Sequence, residues 1–299
     1  MSPIRKLSFV GVGHMGAPMA ARLRARGFDV TVFDARPEVA EAFAAAHGAH
    51  VALTLSDVGR GTEALITMLP DHKVVHSVLL GPGGAAASLA RGAIVIDMST
   101  SDPRATVTTG EALAGQGITM LDAPVMGGVV FAKDGTLDIM AGGDAAAIDR
   151  CMPVFEALGR KVYRCGALGS GHALKALANY VNACTLINVL EAMTVGRKFG
   201  LDTAVMTQAL EAMCSGRQHP LEKKVIPHVL TRKYGTGMAL GLIAKDVGIA
   251  VDFAAAIGAS APLAERVREL WAQARDEVGA QVDQTEIVKL WEQASGVKL

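Results

Sequence analysis

The sequence predicts a two-domain α/β protein: a parallel-sheet N-terminal domain and an all-helical C-terminal domain, joined by a long helix. Three observations carry this. At 299 residues the chain exceeds one typical domain. From Lys6 to about Arg164, short apolar runs ("LSFVGVG", "DVTVFD", "EALITML", "AIVIDMS", "ITMLDAPV", "TLDIMAGG", "KVYRC") alternate with helical patterns, as parallel strands with helical crossovers require. After Gly169 the strand-like runs stop and long periodic segments take over, beginning with "HALKALANYVNACTLINVLEAMTVGRKFG" from His172 to Phe199. The glycine-rich "CGALGSG" marks the seam, which divides the chain into residues 1–168 and 169–299.

Composition narrows the class of partner. Hydrophobic residues make up 51% and charged residues 19%, enough to bury a core in each domain. Lys plus Arg equals Asp plus Glu at 29 each, so no field of one sign is available for nucleic acid or an anionic membrane. The apolar segment at the N-terminus is about half the length of a secretory core and runs straight into a glycine turn, so no export signal is expected. The longest apolar stretch, Ala176 to Met193, contains Asn179, Asn182, Asn188 and Glu191 and reads as a buried helix, not a bilayer span. Cys151, Cys165, Cys184 and Cys214 are scattered without a C-x-x-C pair, which fits reduced thiols in a cytoplasm. A small molecule is therefore the expected partner.

The stretch "LSFVGVGHMGAPMAARL" supplies the first site. Gly11, Gly13 and Gly16 follow a strand over Leu7 to Val10 and open a helix from His14 to Arg26; Asp34 closes the second strand 18 residues after Gly16. In a Rossmann-like unit, Gly11 permits the tight turn and Gly13 lets a pyrophosphate approach the backbone. Gly16 lets the helix pack on the sheet, with its N-terminus, including His14 and Met15, facing the phosphates. Asp34 would accept from the adenosine ribose hydroxyls and repel a 2′-phosphate, which favours NAD over NADP, although Arg36 is placed to pair with such a phosphate. The glycine motif alone leaves a flavin open. Leu69 and Pro70 at the end of the fourth strand, and Ser99 and Thr100 after the fifth, fall where ligands gather at carboxyl ends of parallel strands. A hydroxyl cap on a helix beginning near Pro103 is the competing role for the latter pair.

Three more segments, "DMSTSDP", "DAPVMGGVVFAKDGTLDIMAGG" and "GSGHALKALAN", stand with "GVGHMGAPMA" and "LIAKDVGIA" in an order and spacing that resemble the β-hydroxyacid dehydrogenase family, which includes 3-hydroxyisobutyrate and tartronate semialdehyde enzymes. The resemblance covers nearly the whole chain. It implies a Rossmann-like N-terminal domain, an all-helical C-terminal domain, a long connecting helix and substrate held between them. It also implies NAD-dependent hydride transfer to or from a small 3-hydroxyacid or its semialdehyde. Lys175 matches the family's catalytic lysine, and Asn179 lies one helical turn later on the same face. Thr100 matches a substrate contact, and Lys245 matches the lysine of a "KD" motif that meets cofactor or substrate. Lys175 suits proton exchange with a hydroxyl where burial and nearby positive charge, from Lys245 or the nicotinamide, favour its neutral form.

The sequence departs from the family at the substrate segment, where Met126 replaces a serine and Phe131 a glycine. Gly127 and Gly128 keep an amide cradle for an anionic group. Loss of one hydroxyl donor to a carboxylate costs about 1.5 to 3 kcal/mol, and the pocket becomes more apolar. The expected substrate carries an apolar substituent or a differently placed acid group. Arg217, Gln218 and His219 are further pocket candidates. No metal is expected, since His72 and His76 lack a third ligand near in sequence, and no nucleophile elbow or P-loop occurs. Imine reduction on the same scaffold, and a non-catalytic dinucleotide-binding protein, are the alternative readings. The apolar helical domain points to a homodimer or homotetramer.

Overall fold

The computed structural model describes residues 4–214, 220–235, 237–256 and 262–299, which divide into two compact units after Lys175. Arg217, Gln218 and His219 lie outside the described residues.

In the first unit the strands are β1 (Lys6–Val10), β2 (Asp29–Phe33), β3 (His50–Val51), β4 (Ala64–Thr67), β5 (Ile94–Asp97), β6 (Thr119–Asp122), β7 (Val125–Met126), β8 (Leu137–Gly142) and β9 (Gly159–Gly166). They form one sheet in the order β3-β2-β1-β4-β5-β6-β8-β7, with β9 on β8. The helices between them are α1 (Gly16–Ala25), α2 (Pro37–His47), α3 (Leu55–Val58), α4 (His72–Leu80), α5 (Pro103–Ala114), α6 (Val129–Asp134) and α7 (Ala145–Leu158). Strands β1 to β6 pair in parallel, as the alternation of runs predicts. The parallel expectation fails at β8, which runs antiparallel to both β6 and β7. A parallel return needs a crossover of about a dozen residues or more. Only residues 127–136, with the short α6, separate β7 from β8, and the chain doubles back.

Both faces of this sheet are buried, which explains runs that are apolar at every position. In β5, Ile94 and Ile96 join one core cluster with Phe9, Met19 and Leu23, while Val95 joins the other with Leu65, Val75 and Leu113. The same alternation holds in β4, where Ala64 and Ile66 face one way and Leu65 the other. At about 1.5 to 3 kcal/mol for each fully buried large aliphatic side chain, these two layers are the main stabilising term of the unit.

The second unit is helical. Helix α8 (Ser170–Phe199) begins in the first unit and continues into the second, followed by α9 (Thr203–Cys214), a π-type helix (Leu221–Val229), α10 (Leu240–Ala256), α11 (Pro262–Glu277) and α12 (Val288–Ser295). Its core gathers Leu186, Leu190 and Met193 of α8 with Val247 of α10 around Trp271 of α11, which is fully buried. Among the described residues this unit holds no strand, only an isolated bridge between Ala239 and Asp283. No described helix is long and apolar enough to cross a membrane.

Candidate active site

The register of the sheet builds the first half of the site. Phe33 pairs with Val10, Val10 with Thr67, Thr67 with Asp97, and Asp97 with Asp122, so five parallel strands end level at their carboxyl edge. The strand order reverses between β1 and β4, the crevice where open α/β sheets bind ligands.

At that crevice the turn after β1 is built from missing side chains. Gly11 has φ +93°, in the left-handed region, and a Cβ on Gly16 would fall deep inside the carbonyl of Gly11. A Cβ on Gly13 would meet nothing, so this glycine leaves open space rather than serving internal packing. Helix α1 opens at Met15 without a side-chain cap and without an acidic residue in its first turn, while α3, α4, α5 and α7 are capped by Thr54, Asp71, Asp102 and Asp144. His14 is exposed beside it. Asp34 is held at the end of β2 by the backbone N–H of Val12, which donates to Oδ2 at 3.1 Å, and by that of Arg36, which donates to Oδ1 at 3.1 Å. An open cradle at a helix N-terminus with a pinned carboxylate one strand away fits a dinucleotide: pyrophosphate at Gly13 to Gly16, ribose hydroxyls at Asp34. The exposed guanidinium of Arg36 is drawn back to 3.6 Å from Asp34 Oδ1.

The ends of β4, β5 and β6 carry a buried polar network that sequence reasoning did not foresee. Asp97 Oδ1 accepts from Thr67 Oγ1 (2.9 Å) and Ser99 N (3.0 Å), and Oδ2 accepts from Ser101 Oγ (2.9 Å). Ser99 Oγ accepts from Leu69 N at 2.9 Å and ties the two strand-end loops together, so Ser99 is turned inward and fully buried. Leu69 is half-buried and Pro70 exposed; Thr100 is half-buried. The helix at Pro103 is capped by Asp102, whose Oδ1 accepts from Arg104 N at 2.8 Å, and not by Ser99 or Thr100. Asp122, also buried, accepts from Gly169 N (2.7 Å) and His172 N (2.6 Å), and thereby caps the long helix α8 from a strand 47 residues earlier. The approach needs Gly142 and Gly171, where a Cβ would collide with this carboxylate.

Lys175 stands on α8 just past that cap, 8% exposed, with Nζ 3.7 Å from Met126 Sδ. Structure therefore brings together Lys175 and the residue that departs from the family pattern. Gly127 (φ +134°) and Gly128 (φ +81°) follow Met126 in conformations that favour glycine, and a Cβ on Gly128 would meet nothing. Phe131 packs under Gly127 and against the core, so part of its bulk supports the turn. In the second unit, Asn179 Nδ2 donates to Asp246 Oδ2 at 2.8 Å, and Lys245 Nζ lies 3.0 Å from Asp246 Oδ1. A carboxylate only accepts, so Asp246 fixes the amide orientation of Asn179 and leaves its oxygen and its second N–H on offer. Asp246 also offsets the charge that Lys245 would present. Its place next to Lys245 in "KD" was the available signal.

Among the described residues no group of three His, Cys, Asp or Glu is placed to hold a metal ion. Burial pushes the Cys151 thiol up to about 12, which leaves it without thiolate character.

Comparison with known proteins identifies the family. Residues 6–166 match the NAD-binding domain of 6-phosphogluconate dehydrogenase, and residues 169–291 match the NAD-binding domain of NADP-dependent 3-hydroxyisobutyrate dehydrogenase. An NAD-dependent L-serine dehydrogenase of Pseudomonas aeruginosa is 33% identical over 98% of this chain and 100% of its own length. A 2-(hydroxymethyl)glutarate dehydrogenase of Eubacterium barkeri is 31% identical over 98% and 97%. The solved structure of Mycobacterium tuberculosis 3-hydroxyisobutyrate dehydrogenase with L-serine superposes with a TM-score of 0.85 at 30% identity, covering 96% of this chain and 99% of that one. The chain belongs to the β-hydroxyacid dehydrogenase family, in its 3-hydroxyisobutyrate dehydrogenase-like group. It is an NAD(P)-dependent dehydrogenase acting on CH–OH groups.

Proposed function

We propose that the protein interconverts a small 3-hydroxyacid and its semialdehyde with NAD, and that Lys175 exchanges the proton at the hydroxyl oxygen. The observation that carries this reading is the buried Lys175 amine, held on a helix whose start is fixed by Asp122. NAD, when bound, supplies a hydride acceptor at nicotinamide C4. Gly11, Gly13 and Gly16 with the start of α1 hold its pyrophosphate, Asp34 its ribose hydroxyls, and Leu69, Pro70 and Thr100 line its nicotinamide end. Lys175 in its amine form takes the hydroxyl proton during oxidation, and its ammonium form returns one during reduction. Asn179, its amide oriented by Asp246, orients the substrate. Gly127 and Gly128 receive the substrate acid group, and Thr100 contacts it. Lys245 contacts cofactor or substrate.

Substrate preference follows from Met126. A thioether 3.7 Å from the catalytic amine replaces a hydroxyl donor with a polarisable apolar surface. This supports a hydroxyacid with an apolar substituent or a displaced acid group over tartronate semialdehyde. Residues 1–168 form the dinucleotide-binding domain, which also lends Thr100 and residues 126–128 to the substrate, and residues 169–299 form the helical domain for substrate and self-association. Exposed Leu177, Val181, Val205 and Leu242 on the helical unit support a homodimer or homotetramer, working in the cytoplasm.

The test is the appearance of reduced nicotinamide at 340 nm, with NAD and NADP separately, across hydroxyacids, hydroxysulfonates and alcohols. Lys175→Ala should lower kcat by about 10² to 10⁴ while cofactor affinity stays within about twofold. A binding protein without chemistry would be indifferent to the change, and a preference for tartronate semialdehyde would overturn the role given to Met126.

A further inference from the structure

His172 is fully buried three residues before Lys175 on α8, and the proposed chemistry does not use it. Its ring touches two other elements. Nε2 lies 3.1 Å from the carbonyl oxygen of Ser99, at the start of the loop that carries Thr100. Nδ1 lies 2.8 Å from Thr106 Oγ1 on α5, one turn after the Asp102 cap. A carbonyl oxygen only accepts, so Nε2 carries a proton and donates it. Its own backbone N–H donates to Asp122, and the carboxylates of Asp97 and Asp122 stand at 3.6 Å from Nε2 and 3.8 Å from Nδ1. One rigid ring thus bridges the loop after β5, helix α5 and the first turn of α8.

A purely structural histidine could satisfy its nitrogens anywhere in the core. This one joins the two segments whose separation the reaction depends on: the loop of Thr100 and the helix of Lys175. Catalysis by proximity is steep in distance, and displacement by about 1 Å costs on the order of 10² in rate. Resting on the reading that Lys175 is the proton-exchanging group, we infer that His172 is a positioning residue that sets the spacing between the Lys175 amine and the Ser99–Ser101 loop. The imidazole itself does not exchange a proton with substrate.

The experiment uses the full chain with NAD and 3-hydroxyisobutyrate, either unlabelled or dideuterated at C3. His172→Leu puts an apolar side chain of smaller but comparable bulk in its place and removes both ring bonds. It should lower kcat by about 10- to 100-fold, leave the NAD Kd within about twofold, and raise the deuterium isotope effect on kcat as the chemical step becomes fully limiting. His172→Gln, whose amide nitrogen can donate to Ser99 O while its oxygen faces Thr106, should return kcat to within about threefold of the parent. Thr106→Val, a small core change, should lower kcat about three- to fivefold. It decides the matter if His172→Leu does not fold. The inference falls if His172→Leu, or in its absence Thr106→Val, loses thermal stability with kcat per folded enzyme unchanged. It also falls if the glutamine variant is as slow as the leucine one. Lys175→Ala separates the two readings. If that variant turns over normally, the assignment of Lys175 fails, and this inference with it. If it is inactive while His172→Leu is normal, only the role of His172 fails.

Discussion

The glycine turn after β1 and the polar network after β4, β5 and β6 occupy the same edge of one sheet, yet they are built on opposite principles. The turn works by leaving side chains out, so that Gly13 opens onto space and the start of α1 remains uncapped. The network works by burying them, with Asp97 and Asp122 engaged by five donors within 3.0 Å. A ligand-facing surface needs unspent donors, whereas a surface that holds the start of α8 and Lys175 in place needs donors already spent. Buried carboxylates are costly unless fully hydrogen-bonded, and once satisfied they specify one geometry. The two regions therefore divide the work: one receives, the other fixes.

The strongest way to break that division is to remove a carboxylate from the network. Asp97→Ala leaves the Thr67 hydroxyl, the Ser99 amide and the Ser101 hydroxyl without their acceptor in a fully buried place. At about 1 to 3 kcal/mol for each abandoned donor, less some relaxation, unfolding free energy should drop by about 4 kcal/mol in a urea titration. A loss under about 1 kcal/mol would mean that the network does not hold this edge together.

The complementary change is Gly13→Ala, whose new methyl group meets no protein atom. Stability should stay within about 0.5 kcal/mol, since no positive φ and no packing contact demands glycine there. The dissociation constant of NAD, followed by fluorescence titration, should nevertheless rise about 10- to 100-fold, because the methyl occupies the pyrophosphate's approach. A variant that melts early but binds normally would assign Gly13 to the fold and erase the contrast. A smaller effect comes from Asp34→Ser. Removing the carboxylate frees the guanidinium of Arg36, now 3.6 Å from it, for a 2′-phosphate. The ratio of kcat/KM for NADP to that for NAD should rise about tenfold, an energy near 1.4 kcal/mol, and Arg36→Ala in the same background should abolish the gain.

The same contrast explains what was legible beforehand. Gly11, Gly13, Gly16 and Asp34 act within one strand-turn-helix-strand unit, so their spacing in sequence is already their geometry. Lys175 and Asn179 share a helix, and the family pattern marks them. Asp97, Asp122 and His172 meet only because the register levels β5 with β6 and brings α8 back over both strands, which no local pattern records. The segments "DMSTSDP" and "DAPV" are recognisable as sites, but the local pattern marks the hydroxyls after Asp97 rather than Asp97 itself, whose partner Thr67 comes from another strand. Ser99, expected as a ligand contact or a helix cap, is an internal acceptor, and the cap before Pro103 is Asp102. The antiparallel β8 escaped for a related reason, since the length of α6, not the strand's composition, decides its direction.

A control at the opposite end of the strands sharpens the comparison with the least energy. Glu63 precedes β4 and accepts from the backbone N–H groups of Lys6 (2.9 Å) and Arg5 (2.7 Å), where β1 begins. These two bonds, that from Lys6 foremost, hold its carboxyl below the usual glutamate range. A depressed folded-state value stabilises the protein above the unfolded value of about 4.3, and the gain disappears as pH falls through the folded one. Glu63→Gln keeps the shape and weakens both bonds, which should cost about 1 kcal/mol at pH 7. As pH falls below about 4.3 the two proteins should draw together in stability, and they should converge only below the folded-state value of Glu63, while NAD affinity stays equal throughout. A loss of NAD affinity in this variant would show that any weakening of β1 reaches the glycine turn, and the assignment of binding to the turn itself would no longer stand.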